Sequence, residues 1–201
     1  MSSVLLALLR HAPTGWNEAG RLQGLTDTDL SVAGEAVARG WRLPPPADQW
    51  RRLSSPLRRA CRTAELLQPL AAVAVDSRLR EMGFGAWEGR TLADLRVTVG
   101  EVFLSAERRG LDFQAPGGES PRAAMGRMGN WARDVARAGE PAVAVSHKAA
   151  IRALFALATG WDMISKPSAK LDWHSLHFFR AYRDGRVVAE RLNVPLLGDM
   201  S

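Results

Sequence analysis

The 201-residue sequence contains a single cysteine, Cys61, and no hydrophobic run long enough to cross a membrane. One thiol cannot form a disulfide within the chain, and no zinc-ligand spacing surrounds it, so we expect Cys61 to pack on a helix. The first apolar run, Val4–Leu9, lacks the basic flank and the cleavage site of a signal peptide. These absences predict a cytoplasmic protein with a buried core.

Lysine is also scarce, because only three of the 27 basic residues are Lys. The formal net charge is nevertheless +6, and the arginines are spread along the whole chain instead of forming a stripe with interleaved aromatics. That distribution argues against a nucleic-acid partner and favours small anionic ligands. We expect no membrane partner, and the sequence carries no signal for an oligomeric state.

Apolar runs alternate with segments of helical periodicity, and no repeat or low-complexity tract interrupts them. This alternation predicts an α/β fold, a three-layer sandwich with a mainly parallel central sheet. The expected parallel strands are Val4–Arg10, Arg52–Ser54, Ala72–Val75 and Ala142–Ser146. The expected helices are Ser31–Trp41, Arg58–Leu67, Ser120–Ala138 and Lys148–Thr159.

The C-terminal part has a different pattern. Asp184-Gly185 separates two apolar runs, Leu176–Tyr182 and Val187–Leu192, which predicts an antiparallel hairpin at one edge of the sheet. Residues 90–118 mix short amphipathic pieces with glycines. We therefore expect one domain over residues 1–201, with 90–118 as a small helical cap insertion.

Two expected strands end on a histidine. Arg10-His11 closes the first strand, and His147 closes the strand before the helix that begins at Lys148. Because ligands bind outside the carboxyl ends of parallel strands, both histidines should face one crevice. Arginine can bind phosphate oxygens through two nitrogens, and a neutral imidazole can attack phosphorus. The free N–H groups at the start of the Lys148 helix are a further reason to expect a bound anion there.

Two further segments fit phosphate chemistry. Arg58, Arg59 and Arg62 lie in the first turns of an expected helix, where the dipole disfavours cations, so a bound anion would offset a cost. We expect Arg58 and Arg62 to be solvated. The segment from Leu79 to Gly89 places Glu81 among apolar and glycine residues, a setting that suits a general acid.

Together these segments resemble the histidine phosphatase superfamily, the phosphoglycerate mutase-like proteins. The matching motifs cover most of the chain: Leu9-Arg10-His11-Ala12-Pro13-Thr14, Leu22-Gln23-Gly24, Ser54-Ser55-Pro56-Leu57, Leu79-Arg80-Glu81, Trp87-Glu88-Gly89, Gly117-Gly118-Glu119-Ser120 and Val145-Ser146-His147. The resemblance is greatest to a short bacterial branch that includes α-ribazole-phosphate phosphatases.

The resemblance implies a role for each matching residue. His11 would be the nucleophile that becomes phosphohistidine, and Glu81 would protonate the leaving group. The residues expected to hold the phosphoryl oxygens are Arg10, Arg59 and His147. The expected substrate-binding residues are Asn17, Gln23, Gly24, Thr14 and Lys148. Cationic side chains can stabilise the charge of the transition state, so we expect no metal and no cofactor.

The chain departs from the family at two positions, because Ala12 and Lys148 follow the two histidines where the family usually has glycine. Ala12 is tolerable if its φ is negative. Lys148 either reaches the substrate as an extra cation or points to solvent.

The expected activity is a metal-independent phosphomonoesterase that acts on a small phosphorylated metabolite. The chain lacks the added segments of the longer mutases that it resembles, which favours hydrolysis over mutase-type phosphoryl transfer. A non-catalytic phospholigand-binding or scaffold protein is the other alternative. Two weaker hypotheses are a magnesium-dependent phosphatase built on Asp27 and Asp29, and a metal pair at His174 and His177.

Overall fold

The computed structural model describes residues 2–198, and its centre is a sheet of six strands in the order β3-β2-β4-β1-β5-β6. The strands are β1 (Ser3–Arg10), β2 (Arg51–Ser54), β3 (Val73–Val75), β4 (Ala142–Ser146), β5 (Ser175–Tyr182) and β6 (Val187–Pro195). Strands β1 to β4 pair in parallel, whereas β5 and β6 pair in antiparallel fashion at one edge. The predicted mainly parallel sheet with a C-terminal antiparallel hairpin is confirmed.

The helices lie on both faces of this sheet or above its edge. They are α1 (Gly15–Glu18), α2 (Val32–Gly40), α3 (Arg58–Leu66), α4 (Leu92–Thr98), α5 (Glu101–Glu107), α6 (Pro121–Ala138) and α7 (Lys148–Thr159). Capping side chains and glycines define several of the helix ends. The side chains of Ser31 and Ser120 cap α2 and α6, and α6 and α7 end at Gly139 and Gly160 in the left-handed region.

Strand β1 shows how the three layers arise. Successive side chains of a strand point to opposite faces. Leu6 and Leu8 belong to an apolar cluster with residues of α6 and α7, whereas Ala7 and Leu9 belong to a second cluster with residues of α2 and α3. Apolar side chains therefore anchor two helices to each face of the sheet, which is the predicted three-layer arrangement.

The segment 90–118 contains α4, α5 and a 3-10 turn at Gly110–Asp112. Its buried side chains form a small apolar cluster with Trp87, in which Phe103 packs edge-on against Trp87 at 5.1 Å between ring centroids. None of the helices in residues 2–198 is long and apolar enough to cross a membrane. Helix α1 was not predicted from sequence, because its four residues depend on the Thr14 cap and not on apolar periodicity.

Candidate active site

The ends of β1 and β4 bring the two histidines together. The backbone N–H of His11 donates to the carbonyl of Ser146 at 3.0 Å, which extends the parallel pairing of the two strands by one residue. The His11 and His147 ring centroids are 5.1 Å apart. Both imidazoles therefore lie at the same edge of the sheet, as expected for the carboxyl ends of parallel strands.

His11 is oriented by its own chain neighbour. Its Nδ1 lies 2.7 Å from the carbonyl oxygen of Ala12, and a carbonyl can only accept, so Nδ1 carries the proton. Burial and the nearby charges of Arg10 and Arg59 hold the pKa of His11 well below its usual value. The ring is therefore neutral, with a lone pair on Nε2, the state that a nucleophilic imidazole requires.

Ala12 fits the backbone at the position where the family usually has glycine. Within residues 2–198 the non-glycine residues with positive φ are Met163 and Asn193, so Ala12 has an ordinary φ. The N–H of Ala12 donates to the Oγ1 of Thr63 at 3.0 Å, and Thr63 Oγ1 donates to the carbonyl of Arg59. Ala12 was expected to be tolerated if its φ is not positive, and the structure meets this condition. The hydrogen bond to Thr63 connects this loop to α3.

His147 is fully buried and immediately precedes α7. Its Nε2 lies 2.7 Å from the hydroxyl oxygen of Ser55, which also accepts the N–H of Leu57 at 3.2 Å. This hydrogen bond fixes the orientation of the His147 ring. Burial, then repulsion from His11 and Arg59, lowers the pKa of His147 well below its usual value, so this imidazole is also neutral.

Arg10 and Arg59 bring two positive charges to the same place. Arg59 is 0% exposed, and its guanidinium donates to the carbonyls of Gly24 at 2.8 Å and Thr26 at 3.0 Å. The Nε atoms of both arginines are buried without a hydrogen-bond partner, and no carboxylate in residues 2–198 forms an ion pair with either. Burial lowers the pKa of both. A phosphate would offset that desolvation.

Glu81 occupies the N-terminus of α7. Its Oε1 accepts the N–H groups of Met82 at 2.8 Å and Ala150 at 3.1 Å, and its Oε2 accepts that of Ala149 at 3.2 Å. The expectation that these helix N–H groups remain free for a substrate anion is wrong, because Glu81 takes two of them. These contacts hold the Glu81 carboxyl group in a fixed position at the cavity that His11 also lines.

Four of the five side chains, Arg10, His11, Arg59 and Glu81, line one cavity of about 480 Å³, whereas the fully buried His147 does not line it. Its floor carries Arg10, His11, Arg59 and Glu81, and one wall carries Asn17 and Gln23. The opposite wall comes from α7 and from the segment 90–118. The residues lining that wall are Lys148, Ala149, Arg152, Leu92, Phe103, Glu107 and Phe113. This volume is that of a pocket for a small metabolite.

Thr14 and Gly24 do not line this cavity but support its wall. Thr14 is fully buried, and its Oγ1 accepts from the Nε2 of Gln23 at 2.8 Å and from the N–H of Asn17 at 3.1 Å. Gly24 has φ +58°, and a Cβ there would lie 1.9 Å from an oxygen of Glu88. The sequence grouped these residues with the substrate-binding set, whereas the structure places them behind Asn17, Gln23 and Arg59.

Several residues at the site were not predicted from sequence as functional, above all Ser55, Thr63 and Arg152. The sequence does contain a signal for Arg152, because this residue follows Lys148 by four positions and therefore lies on the same face of the expected helix. Cys61 is half-buried, with its thiol 3.0 Å from the carbonyl of Ser55, and burial raises its pKa. This environment is that of a packed thiol.

The two alternative metal sites are not assembled. Asp27 and Asp29 are exposed and form ion pairs with Arg58. His174 is exposed, whereas His177 is buried in β5 and accepts the N–H of Asn193 at 3.3 Å. Within residues 2–198 no three His, Cys, Asp or Glu side chains lie close enough together to hold a metal.

Comparison with known proteins agrees with this geometry. Residues 6–194 match the histidine phosphatase superfamily (branch 1). The chain is 30% identical to phosphoserine phosphatase 1 of Hydrogenobacter thermophilus over 167 residues, which is 80% of this chain and 78% of that protein. It is 31% identical to a 2,3-bisphosphoglycerate-dependent phosphoglycerate mutase of a Methylobacterium species over 179 residues, covering 83% and 86% of the two chains.

A solved structure has the same fold. The chain superposes on a candidate alpha-ribazole-5'-P phosphatase from Escherichia coli with a TM-score of 0.76 over 94% of this chain and 96% of that one, at 24% identity. At that identity the likeness establishes the fold alone. The protein belongs to the histidine phosphatase superfamily, and its relatives include phosphatases of small phosphorylated metabolites.

Proposed function

We propose that this protein is a metal-independent phosphomonoesterase that works through a phosphohistidine on His11. The observation that carries the proposal is the hydrogen bond from His11 Nδ1 to Ala12, which frees Nε2 in a cavity with Arg10 and Arg59. Nε2 attacks the phosphorus in line, and the bond from phosphorus to the ester oxygen breaks. Glu81 donates a proton to that departing oxygen.

The second half of the reaction reverses these roles. Glu81, now a carboxylate, takes a proton from water, whose oxygen attacks the phosphohistidine and displaces Nε2, so inorganic phosphate leaves. In both steps negative charge lies on the equatorial phosphoryl oxygens, and in this proposal Arg10, Arg59 and His147 stabilise it. Segment 90–118 acts in this proposal as the cap that limits which esters enter.

Release of phosphate from 4-nitrophenyl phosphate tests the proposal. Wild type should turn over, His11→Ala should lose activity, and the exposed His174→Ala should serve as the matched control. Binding of phosphate esters without turnover by the wild type would instead identify a non-catalytic phospholigand-binding protein.

The mutase relative supports a second candidate, phosphoryl transfer between positions of phosphoglycerate. Phosphorus NMR distinguishes the two activities. Starting from 3-phosphoglycerate and a 2,3-bisphosphoglycerate primer, a phosphatase accumulates inorganic phosphate, whereas a mutase accumulates 2-phosphoglycerate. We expect inorganic phosphate, the product that the proposed phosphomonoesterase activity requires.

A further inference from the structure

Helix α7 presents two cations to the cavity that holds His11. Lys148 and Arg152 both line this cavity, and their spacing of four residues places them on one helix face, with a rise of roughly 6 Å between them. Neither forms an ion pair with a carboxylate or a hydrogen bond within residues 2–198. The proposed mechanism uses neither side chain.

Both cations are held in place by tryptophan. The Nζ of Lys148 lies 5.5 Å from the centre of the Trp173 ring, and the guanidinium of Arg152 lies 5.0 Å from the centre of the Trp161 ring. Cation–π contacts of this kind orient a charged group while leaving its N–H donors free. The pair is therefore oriented by aromatic contacts, with Lys148 exposed and Arg152 half-buried.

The acidic side chains that share the cavity form no ion pair with Lys148 or Arg152 within residues 2–198. Glu81 is held by three backbone N–H groups, and Glu107 pairs with Arg96 at 3.0 Å. Burial, then repulsion from Arg10 and Arg152, lowers the pKa of Lys148, and attraction to Glu81 offsets part of this effect. Burial also lowers the pKa of Arg152, although Glu81 partly offsets it. An anion bound between the two side chains would reverse this cost.

We propose that Lys148 and Arg152 bind a second anionic group of the substrate, a carboxylate or a second phosphate, while the first phosphoryl group lies at His11. This inference rests on the proposed function only for the position of the first group. The natural substrate is then a short phosphate ester with an acidic function a few bonds from the ester oxygen. A plain alcohol phosphate of the same size leaves the two cations without a partner.

Calorimetric titration in the His11→Ala background measures this preference without turnover. The first probe pair is 3-phosphoglycerate and glycerol 3-phosphate, which differ by a carboxylate against a hydroxymethyl group. The second is ethylene glycol bisphosphate and 2-hydroxyethyl phosphate. In at least one pair the more anionic probe should bind roughly tenfold or more tightly, the size of a charge-assisted contact. The probe pair with the larger affinity ratio shows whether the second anionic group is a carboxylate or a phosphate.

Lys148→Met and Arg152→Met, each added to that background, should bring this ratio close to one. Lys166→Met, at an exposed lysine outside the cavity, should leave the ratio unchanged. If Arg152→Met does not fold, the exposed Lys148 still carries the test. Equal binding within both pairs, or a preference that survives the Lys148 and Arg152 changes, would overturn the subsite. Failure of wild type to hydrolyse 4-nitrophenyl phosphate would overturn only the proposed function.

Discussion

The Nδ1 atom of His11 lies 2.7 Å from the carbonyl oxygen of Ala12, the next residue in the chain. Because that contact requires the proton on Nδ1, Nε2 is the nitrogen that attacks phosphorus in the proposed reaction. No distant residue is needed to set the tautomer, and the substitution of alanine for the usual glycine leaves the carbonyl in place.

This relationship predicts a trappable intermediate. Wild-type protein mixed with a phosphate ester and quenched in alkali should retain an acid-labile label on His11, because a phosphorus–nitrogen bond survives base better than acid. His11→Ala should remove both label and turnover, whereas His174→Ala should keep both. A label that persists in His11→Ala would show that another residue is the nucleophile.

Ser55 should act as a positioning residue for His147. In Ser55→Ala, both ring nitrogens of the buried His147 would lack a partner, since Nδ1 has none already. The free energy of unfolding should fall by about 1–3 kcal/mol in denaturant titrations. The kcat should fall roughly ten- to a hundredfold through misplacement of the ring. Ser77→Ala, at an exposed serine, is the matched control. An equally large loss in Ser77→Ala would show that the effect of Ser55→Ala does not act through His147.

Stability should depend on pH through the buried histidines. The folded-state pKa of His147 lies well below the 6.5 of the unfolded chain, so on acidification the unfolded state takes up the proton first. The stabilising contribution is therefore complete above about pH 6.5 and is lost as pH falls below it.

His147→Gln should make this loss less steep, by up to about 1.4 kcal/mol per pH unit in urea titrations between pH 7.5 and 5. Burial also lowers the pKa of His11 and His177, so part of the slope should remain. His174→Gln serves as the exposed control. An unchanged slope in His147→Gln would mean that His147 takes up its proton at the same pH in the folded and unfolded states.

The sequence predicted the strand ends of this site well, for a physical reason. Short buried apolar runs such as Val4–Arg10 and Ala142–Ser146 identify parallel strands, and parallel strands place their last residues at one edge. His11 and His147 could therefore be brought together without coordinates. The structure adds a ring separation of 5.1 Å.

The contacts between distant loops could not be predicted in the same way. Glu81 and Ala149 are 68 positions apart, and no local pattern shows that a carboxylate reaches the N-terminus of α7. Thr14 and Gly24 stand in the matching motifs that also contain His11 and Gln23, so the sequence could not separate residues that face the cavity from residues that support it. Residues of one motif lie near one another in the fold, whereas the direction of each side chain depends on the conformation of the loop that carries it.

Activity should survive excess chelator. Charge stabilisation at the phosphoryl oxygens is assigned to Arg10, Arg59 and His147, groups that can replace a metal in that role. Initial rates with 4-nitrophenyl phosphate, measured with and without EDTA, should agree within error. Loss of activity that magnesium restores would revive the aspartyl hypothesis at Asp27 and Asp29.

Glu81 and Glu88 lie in one segment but should have separable roles. Glu81 lines the cavity, whereas the carboxylate of Glu88 accepts the N–H groups of Leu25, Thr26 and Phe84 and so holds the loop that carries Gly24. A general acid matters most when the leaving group is poor. Glu81→Gln should therefore slow hydrolysis of an alkyl phosphate roughly a hundredfold or more and affect a nitrophenyl ester far less. Glu88→Gln, which disturbs the loop, should slow both esters alike. If the alkyl-to-aryl rate ratio shifts in Glu88→Gln and stays constant in Glu81→Gln, the proton donor is not Glu81.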